Sequence, residues 1–316
     1  MTATDGADQG RLRRLAAIAS LSLAVVLAAA KLAAAIVTGS LAVLSSMIDS
    51  QGDIAASSVT FASVRIAQRP PDRRHRFGHG KAESLSALAQ AAIVAGSAGY
   101  VLLDGVQRLA APRPVEQTGL GIAVMLVAIV ATLALVLFQR RVVRLTGSQA
   151  IAADSLHYRA DLLTNLAVIA SLVVTERLAL PWVDPLVAAL IAGWLLRQAL
   201  RIAKDAIDVL MDHELPTPER EQITALVLAH PEVQGVHDLR TRLAGGTRFI
   251  ELHVELDGGM TVSAAHDVTD ALEEELRAAF PDAEIIIHQE PAGLDDSRLD
   301  HRISRAAGTV SPGQEE

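Results

Sequence analysis

Two short polar motifs inside apolar tracts set the chemistry of this chain. Asp49-Ser-Gln-Gly-Asp53 and His157-Tyr-Arg-Ala-Asp161 each carry two potential metal ligands at i,i+4 spacing. In a helix, both side chains of such a pair leave one face about one turn apart. An ionisable side chain at the centre of a bilayer costs at least about 2.5–3.5 kcal/mol, so these groups need partners. Three carboxylates cannot neutralise one another, whereas a divalent cation neutralises most of their charge. Three carboxylate oxygens and one imidazole nitrogen make a four-ligand set suited to a tetrahedral, zinc-like ion. The competing readings are plain structural hydrogen bonding or an Asp161–Arg159 pair. Arg159, only two residues from Asp161, does not share its helical face.

Two further groups carry ligand chemistry. Asp72-Arg-Arg-His75-Arg-Phe-Gly-His79 offers one carboxylate and two imidazoles within a basic loop, where histidines are also commonly just solvated. His237, His253, His266 and His288, followed by Glu290, put four of the ten histidines on separate elements of one small fold. Each alone would pass as a surface residue. Together they outline a site in which a carboxylate bridges two ions. There is no Cys, so disulfides, thiolate metal sites and a Cys nucleophile are excluded.

These residues must be positioned by a mostly apolar scaffold. The 316 residues are 51% hydrophobic and 20% charged, with a mean hydropathy of +0.33. The apolar tracts fill the first two thirds, which excludes a single soluble enzyme domain and excludes disorder. Aromatic residues make up 3% and the net charge is −8, both unfavourable for a nucleic-acid partner.

Six membrane spans are expected, over about 15–37, 41–66, 82–109, 119–138, 148–174 and 185–196, the last continuing as an amphipathic helix through Asp208. They are separated at Gly39–Ser40, Pro70–Pro71, Pro112–Pro114, Arg140–Arg144 and Pro181–Pro185. The first run also has small residues near its middle, as a signal peptide would, but it is long and further spans follow. At 1.5 Å per residue, Asp49 and Asp53 lie about 14 and 20 Å along the second helix, and His157 and Asp161 about 15 and 21 Å along the fifth. Both pairs therefore reach the middle of a core roughly 30 Å thick. Arg11, Arg13, Arg14, Arg65, Arg69, Arg73, Arg74, Arg76, Lys81, Arg140, Arg141 and Arg144 crowd one side, against Arg108, Arg113 and Arg177 on the other. The positive-inside rule then puts both termini in the cytoplasm.

Residues 1–10 are expected to be disordered, 11–211 to form the six-helix transmembrane domain, 212–292 a cytoplasmic metal-binding and dimerisation domain, and 293–316 a disordered tail. The cytoplasmic part reads as helix 218–229 with Thr217 as N-cap, strand 236–242, a hairpin turn at Gly245–Gly246, strand 247–256, helix 263–280 and strand 284–288. The order α-β-β-α-β predicts a small α+β, ferredoxin- or metallochaperone-like domain with its helices on one sheet face.

These motifs, in this order, closely resemble the bacterial zinc/ferrous-iron efflux branch of the cation diffusion facilitator family. The resemblance rests on the Asp49…Asp53 pair, "ADSLHYRAD" at 153–161, "DRRHRFGHGKAESL" at 72–85, "HDLRTR" at 237–242, "TRFIELHVEL" at 247–256 and "IIIHQEP" at 285–291. It covers about residues 11–291. It implies a homodimeric antiporter in the bacterial inner membrane that exports Zn2+, with Cd2+ or Fe2+ as alternative cargo, in exchange for protons. It further implies a midplane transport site of Asp49, Asp53, His157 and Asp161, a loop site of Asp72, His75 and His79, and a cytoplasmic binuclear site of His237, His253, His266 and His288. The family's bridging acid is usually Asp, and here Glu290 stands in its place. A Lys81–Asp212 interlock at the dimer interface is also implied. A membrane metallohydrolase lacks its H-E-x-x-H motif and a spare acid here; a membrane-anchored metal sensor is the remaining alternative.

Overall fold

The computed structural model describes the backbone of residues 3–38, 41–110, 119–178, 183–294 and 298–306, and the side chains of 8–33, 50–103, 126–167, 186–294 and 298–303. The chain divides between Leu210 and Met211 into two compact units.

The first unit is helical throughout: α1 (Ala3–Thr38), α2 (Leu41–Ala67), α3 (Ala82–Ala110), α4 (Gly119–Thr146), α5 (Gln149–Leu178) and α6 (Val183–Leu210). Among the described residues, α1, α3, α4 and α6 hold segments long and apolar enough to cross a membrane. The described stretches of α2 and α5 are more polar because they carry Asp53, Arg65, Asp154, Arg159 and Asp161. Small residues fill the interior: Ala16, Ala87, Ala91, Ala150, Ala192 and Ala206 are buried, while Val26, Leu103, Val127, Val130 and Leu190 face outward. Large apolar groups outside and small ones inside suit helices packed closely in lipid rather than in water. The polar α5 touches all five other helices, and Asp154 and His157 on it are buried.

Residues 1–10 were expected to fray, yet α1 starts at Ala3. Gln68, just past α2, donates to the Gly10 carbonyl at 2.8 Å and ties this first stretch down. Residues 1 and 2 lie outside the described residues.

The second unit contains α7 (Thr217–Leu228), β1 (Gly235–Ala244), β2 (Thr247–Leu256), α8 (Val262–Ala279), β3 (Ala283–Pro291) and a short α9 (Leu299–Ala306). Strands β1 and β2 pair antiparallel around Gly245 and Gly246, both at positive φ. Strand β3 returns parallel to β2 after the α8 crossover. Alternation along β2 sends Ile250, Leu252, Val254 and Leu256 into a core with Ile223, Val227, Val268, Leu272 and Leu276. Each such buried side chain contributes roughly 1.5–3 kcal/mol. Glu251, His253 and Glu255 are thereby committed to the opposite face.

Two local expectations need correcting. Thr217 is not the cap of α7: Pro216 holds that position without a side-chain bond, and Pro218 sits in the first turn, where its missing N–H costs nothing. The segment 293–316 is not wholly disordered, because α9 forms where Asp238 caps its first turn. The backbone N–H groups of Leu299 and Asp300 donate to Asp238 Oδ2 and Oδ1 at 2.8 and 2.9 Å. Residues 295–297 and 307–316 lie outside the described residues.

Candidate metal centres

Helices α2 and α5 bring Asp53, His157 and Asp161 together. His157 Nε2 lies 3.1 Å from Asp53 Oδ1 and 3.8 Å from Asp161 Oδ2. One ligand atom from each of the three falls within 4.8 Å of the others, close enough for one ion to bind all three. The imidazole side chain is buried, while Asp53 and Asp161 keep 24% and 39% of their side-chain surface open. Asp49 lies one turn before Asp53 on α2, but its side chain is outside the described residues. Arg159 turns away from this group and donates to Ser155 Oγ at 3.2 Å.

Behind the cluster is a buried polar network that the sequence reading missed. Asp154 is fully buried, and its Oδ2 accepts from Ser20 Oγ and from Gln139 Nε2, each at 2.6 Å. Tyr158 Oη donates to the Ser20 carbonyl at 3.1 Å and lies 2.9 Å from Ser57 Oγ. Four helices, α1, α2, α4 and α5, are thus pinned around the residue that precedes His157 by less than one turn. Asp154 lies inside the same motif as His157, and its i,i+3 relation was the available signal. A second buried tie joins α1 to α3. Arg13 pairs with Glu83 at 3.4 Å and donates to the Thr146 carbonyl at 3.0 Å, while Ser148 Oγ donates to the other Glu83 oxygen. Arg13, expected only as part of a positively charged flank, is therefore a structural residue.

The loop between α2 and α3 brings Asp72, His75 and His79 together. Asp72 Oδ1 accepts the backbone N–H groups of Arg74 and His75, each at 2.8 Å, which closes a local turn. His75 Nδ1 and His79 Nε2 lie 3.2 and 3.3 Å from the Asp72 oxygens. Backbone donation from His75, then from Arg74, holds the Asp72 carboxyl below the usual carboxylate range. His79 Nδ1 is buried and without a hydrogen-bond partner. Lys81 donates to the Leu210 carbonyl at 3.2 Å.

The third group is built by strand register. His237, His253 and His288 are cross-strand neighbours in one row of β1, β2 and β3, on the face away from the apolar core. Their ring centroids are 5.1 and 4.7 Å apart. Glu290 reaches in from the next row with Oε1 2.6 Å from His237 Nε2 and 3.0 Å from His253 Nδ1. His237 is 5% exposed, and despite this closeness neither ring nitrogen makes a directed hydrogen bond. Two lone-pair donors facing one point off the hydrogen-bond line suit a shared cation. Asp238, at φ +50°, bulges β1 beside this row. Burial opposes its charge, but the N–H groups of Leu299 and Asp300 and the neighbouring imidazoles hold its carboxyl below the ordinary range. His266 stands apart on α8, 67% exposed and 3.6 Å from Asp270. Asp212, at φ +57°, pairs with Arg242 at 3.4 Å.

Residues 17–211 match the cation efflux transmembrane domain, and residues 215–292 match the cytoplasmic domain of cation efflux proteins. The chain belongs to the cation efflux, or cation diffusion facilitator, family. It is 43% identical to a cation-efflux pump FieF of Klebsiella pneumoniae, covering 90% of this chain and 95% of that one. It is 45% identical to a FieF of Shewanella oneidensis, covering 89% and 95%. The metal-bound C-terminal domain of the CzcD transporter from Thermotoga maritima is 32% identical, covering 26% of this chain and all of that one, with a TM-score of 0.24. As a cation efflux family member, the chain is a membrane-embedded cation transporter and not an enzyme. It joins a helical transmembrane region to an α+β cytoplasmic domain.

Proposed function

We propose that this transporter exports zinc from the cytoplasm in exchange for protons, by alternating access, as a homodimer of six-span subunits. Its setting is a bacterial cytoplasmic membrane with both termini inside. The observation that carries this reading is the convergence of Asp53, His157 and Asp161 on two helices, with Asp49 one turn along α2. A nitrogen among oxygens favours zinc or cadmium over harder ions, and ferrous iron fits the same donors. Proton coupling follows from the ligands: imidazole binds metal only when neutral, so protons and metal compete for one site. The cluster of His237, His253, His288 and Glu290 binds metal without transporting it. His266, exposed on α8, is assigned to the same cytoplasmic metal site. The loop group Asp72, His75 and His79 is a separate, weaker metal site. Lys81 and Asp212 act together in the dimer, so a double-mutant cycle on flux is expected to be non-additive.

The test is zinc movement in sealed proteoliposomes under an imposed pH gradient. Zinc flux that collapses when the gradient is dissipated supports antiport. Zinc binding without any flux contradicts transport of zinc and favours a membrane-anchored sensor. Competition by Cd2+ and Fe2+ in the same assay ranks the cargo.

A further inference from the structure

Glu255 is an acid beside the cytoplasmic histidine row that has no place in the ligand set above. Its Oε1 lies 3.7 Å from His237 Nε2, the same nitrogen that faces Glu290. Gly235 is its neighbour in the β1–β2 register, and a Cβ there would come within 2.9 Å of the Glu255 carboxylate carbon. The missing side chain keeps a place open for that carboxylate next to His237.

The carboxylate is held from the other side by the tail. Arg298 Nη2 lies 2.8 Å from Glu255 Oε1, and the same nitrogen donates to the Leu294 carbonyl at 3.4 Å. One residue further on, α9 is fastened to Asp238. The N–H groups of Leu299 and Asp300 donate to Asp238, and Asp300 Oδ2 accepts the Asp238 N–H at 2.8 Å. Asp238 directly follows His237. The tail therefore grips the rim of the His237 site at two points, Glu255 and Asp238, one through a cation and one through a helix end.

A divalent ion bound to His237 Nε2 and Glu290 would lie within a few ångströms of Glu255 Oε1. It would draw that oxygen and repel the guanidinium that now holds it. We propose that Glu255 is a further ligand of the cytoplasmic metal site, and that the segment Arg298–Asp300 is a strap that withholds it until metal binds. Metal occupancy releases the strap, and by reciprocity the docked strap weakens metal binding. This rests on the reading of the histidine row as a metal site.

The chain has no cysteine, so a single nitroxide can be placed on His301→Cys in the full-length protein. Electron paramagnetic resonance is expected to show an immobilised label without metal and a mobile one at saturating zinc. Arg298→Ala is expected to give a mobile label throughout. It should also tighten zinc at the sites lost in the His253→Ala, His288→Ala double variant by on the order of tenfold, the usual scale of such couplings. Glu255→Gln should keep the strap from tightening or loosening with zinc. A label that stays immobile with zinc bound at the cluster overturns the strap alone. Zinc binding that is identical in the wild type and the double-histidine variant overturns the reading of the site and the strap with it.

Discussion

The membrane cluster and the cytoplasmic histidine row use the same donor types on opposite kinds of support. In the membrane, Asp53 sits on one helix and His157 and Asp161 on another, so the distance between them depends on how α2 lies against α5. In the cytoplasmic domain, His237, His253 and His288 are held by adjacent, hydrogen-bonded strands, where neighbouring positions are fixed at about 4.5–5.5 Å. A helix pair can slide or tilt and so change its ligand spacing, whereas a strand register cannot slip by one residue without turning the row into the core. The first support suits a cargo that must be released; the second suits an ion that stays. Exposure does not separate the two sites: each has one closed imidazole, His157 or His237, beside more open groups, Asp53 and Asp161 or His253 and His288.

The sharpest way to break this contrast is Asp53→Ala. Removing one of three negative charges takes away most of the reason for an ion to shed water at the membrane site. Zinc flux in proteoliposomes is expected to fall to background with an unchanged size-exclusion profile. Near wild-type flux would remove Asp53 from the site.

A smaller and more selective effect is expected from His157→Asp. The substitution leaves a site of oxygens alone, which suits harder ions. Zinc flux should drop relative to manganese flux. Flux ratios measured across a pH series check this, and an unchanged ratio together with an unchanged pH profile would mean that His157 is not a ligand.

Asp154 tests the support rather than the ligands. Asp154→Ala strands the Ser20 and Gln139 donors in a buried place, at a cost of about 1–3 kcal/mol per unsatisfied group. The expected outcome is a lower thermal midpoint and weaker zinc binding in the membrane, with cytoplasmic zinc binding intact. An unchanged midpoint would mean that the network does not brace α1, α2, α4 and α5.

The smallest effect lies in the loop. Asp72 has a depressed folded-state pKa, so its turn contributes stability that is fully present above the unfolded value near 4 and is lost as pH falls through the folded value. The Asp72 carboxyl 13C titration should therefore have its midpoint below that of an ordinary aspartate. A midpoint above the ordinary carboxylate range would contradict the turn.

Much of this contrast was legible in the residues. Apolar length and proline breaks mark the helices, and i,i+4 spacing puts Asp53 on the α2 face and His157 and Asp161 on the α5 face that meet. Period-2 alternation in 247–256 sets His253 against the core side chains. Other features carry no such periodic trace. Asp154, Glu83 and Arg13 are buried by their neighbours on other helices, and a polar residue in a helix reads the same whether solvent or a serine satisfies it. That three histidines share one row depends on strand register and on a bulge at Asp238, and both arise from pairing between distant segments. The tail is polar and short, and α9 forms because Asp238 supplies its cap.

The most direct test of the contrast crosses the two sites in one preparation, measuring zinc flux and equilibrium zinc stoichiometry for Asp53→Ala and for the His253→Ala, His288→Ala pair. Asp53→Ala should lose flux and keep the cytoplasmic zinc, whereas the histidine pair should lose that zinc and keep measurable flux. If the histidine pair abolishes flux as completely as Asp53→Ala while the protein remains folded and dimeric, the division between a releasing membrane site and a retaining cytoplasmic site is wrong.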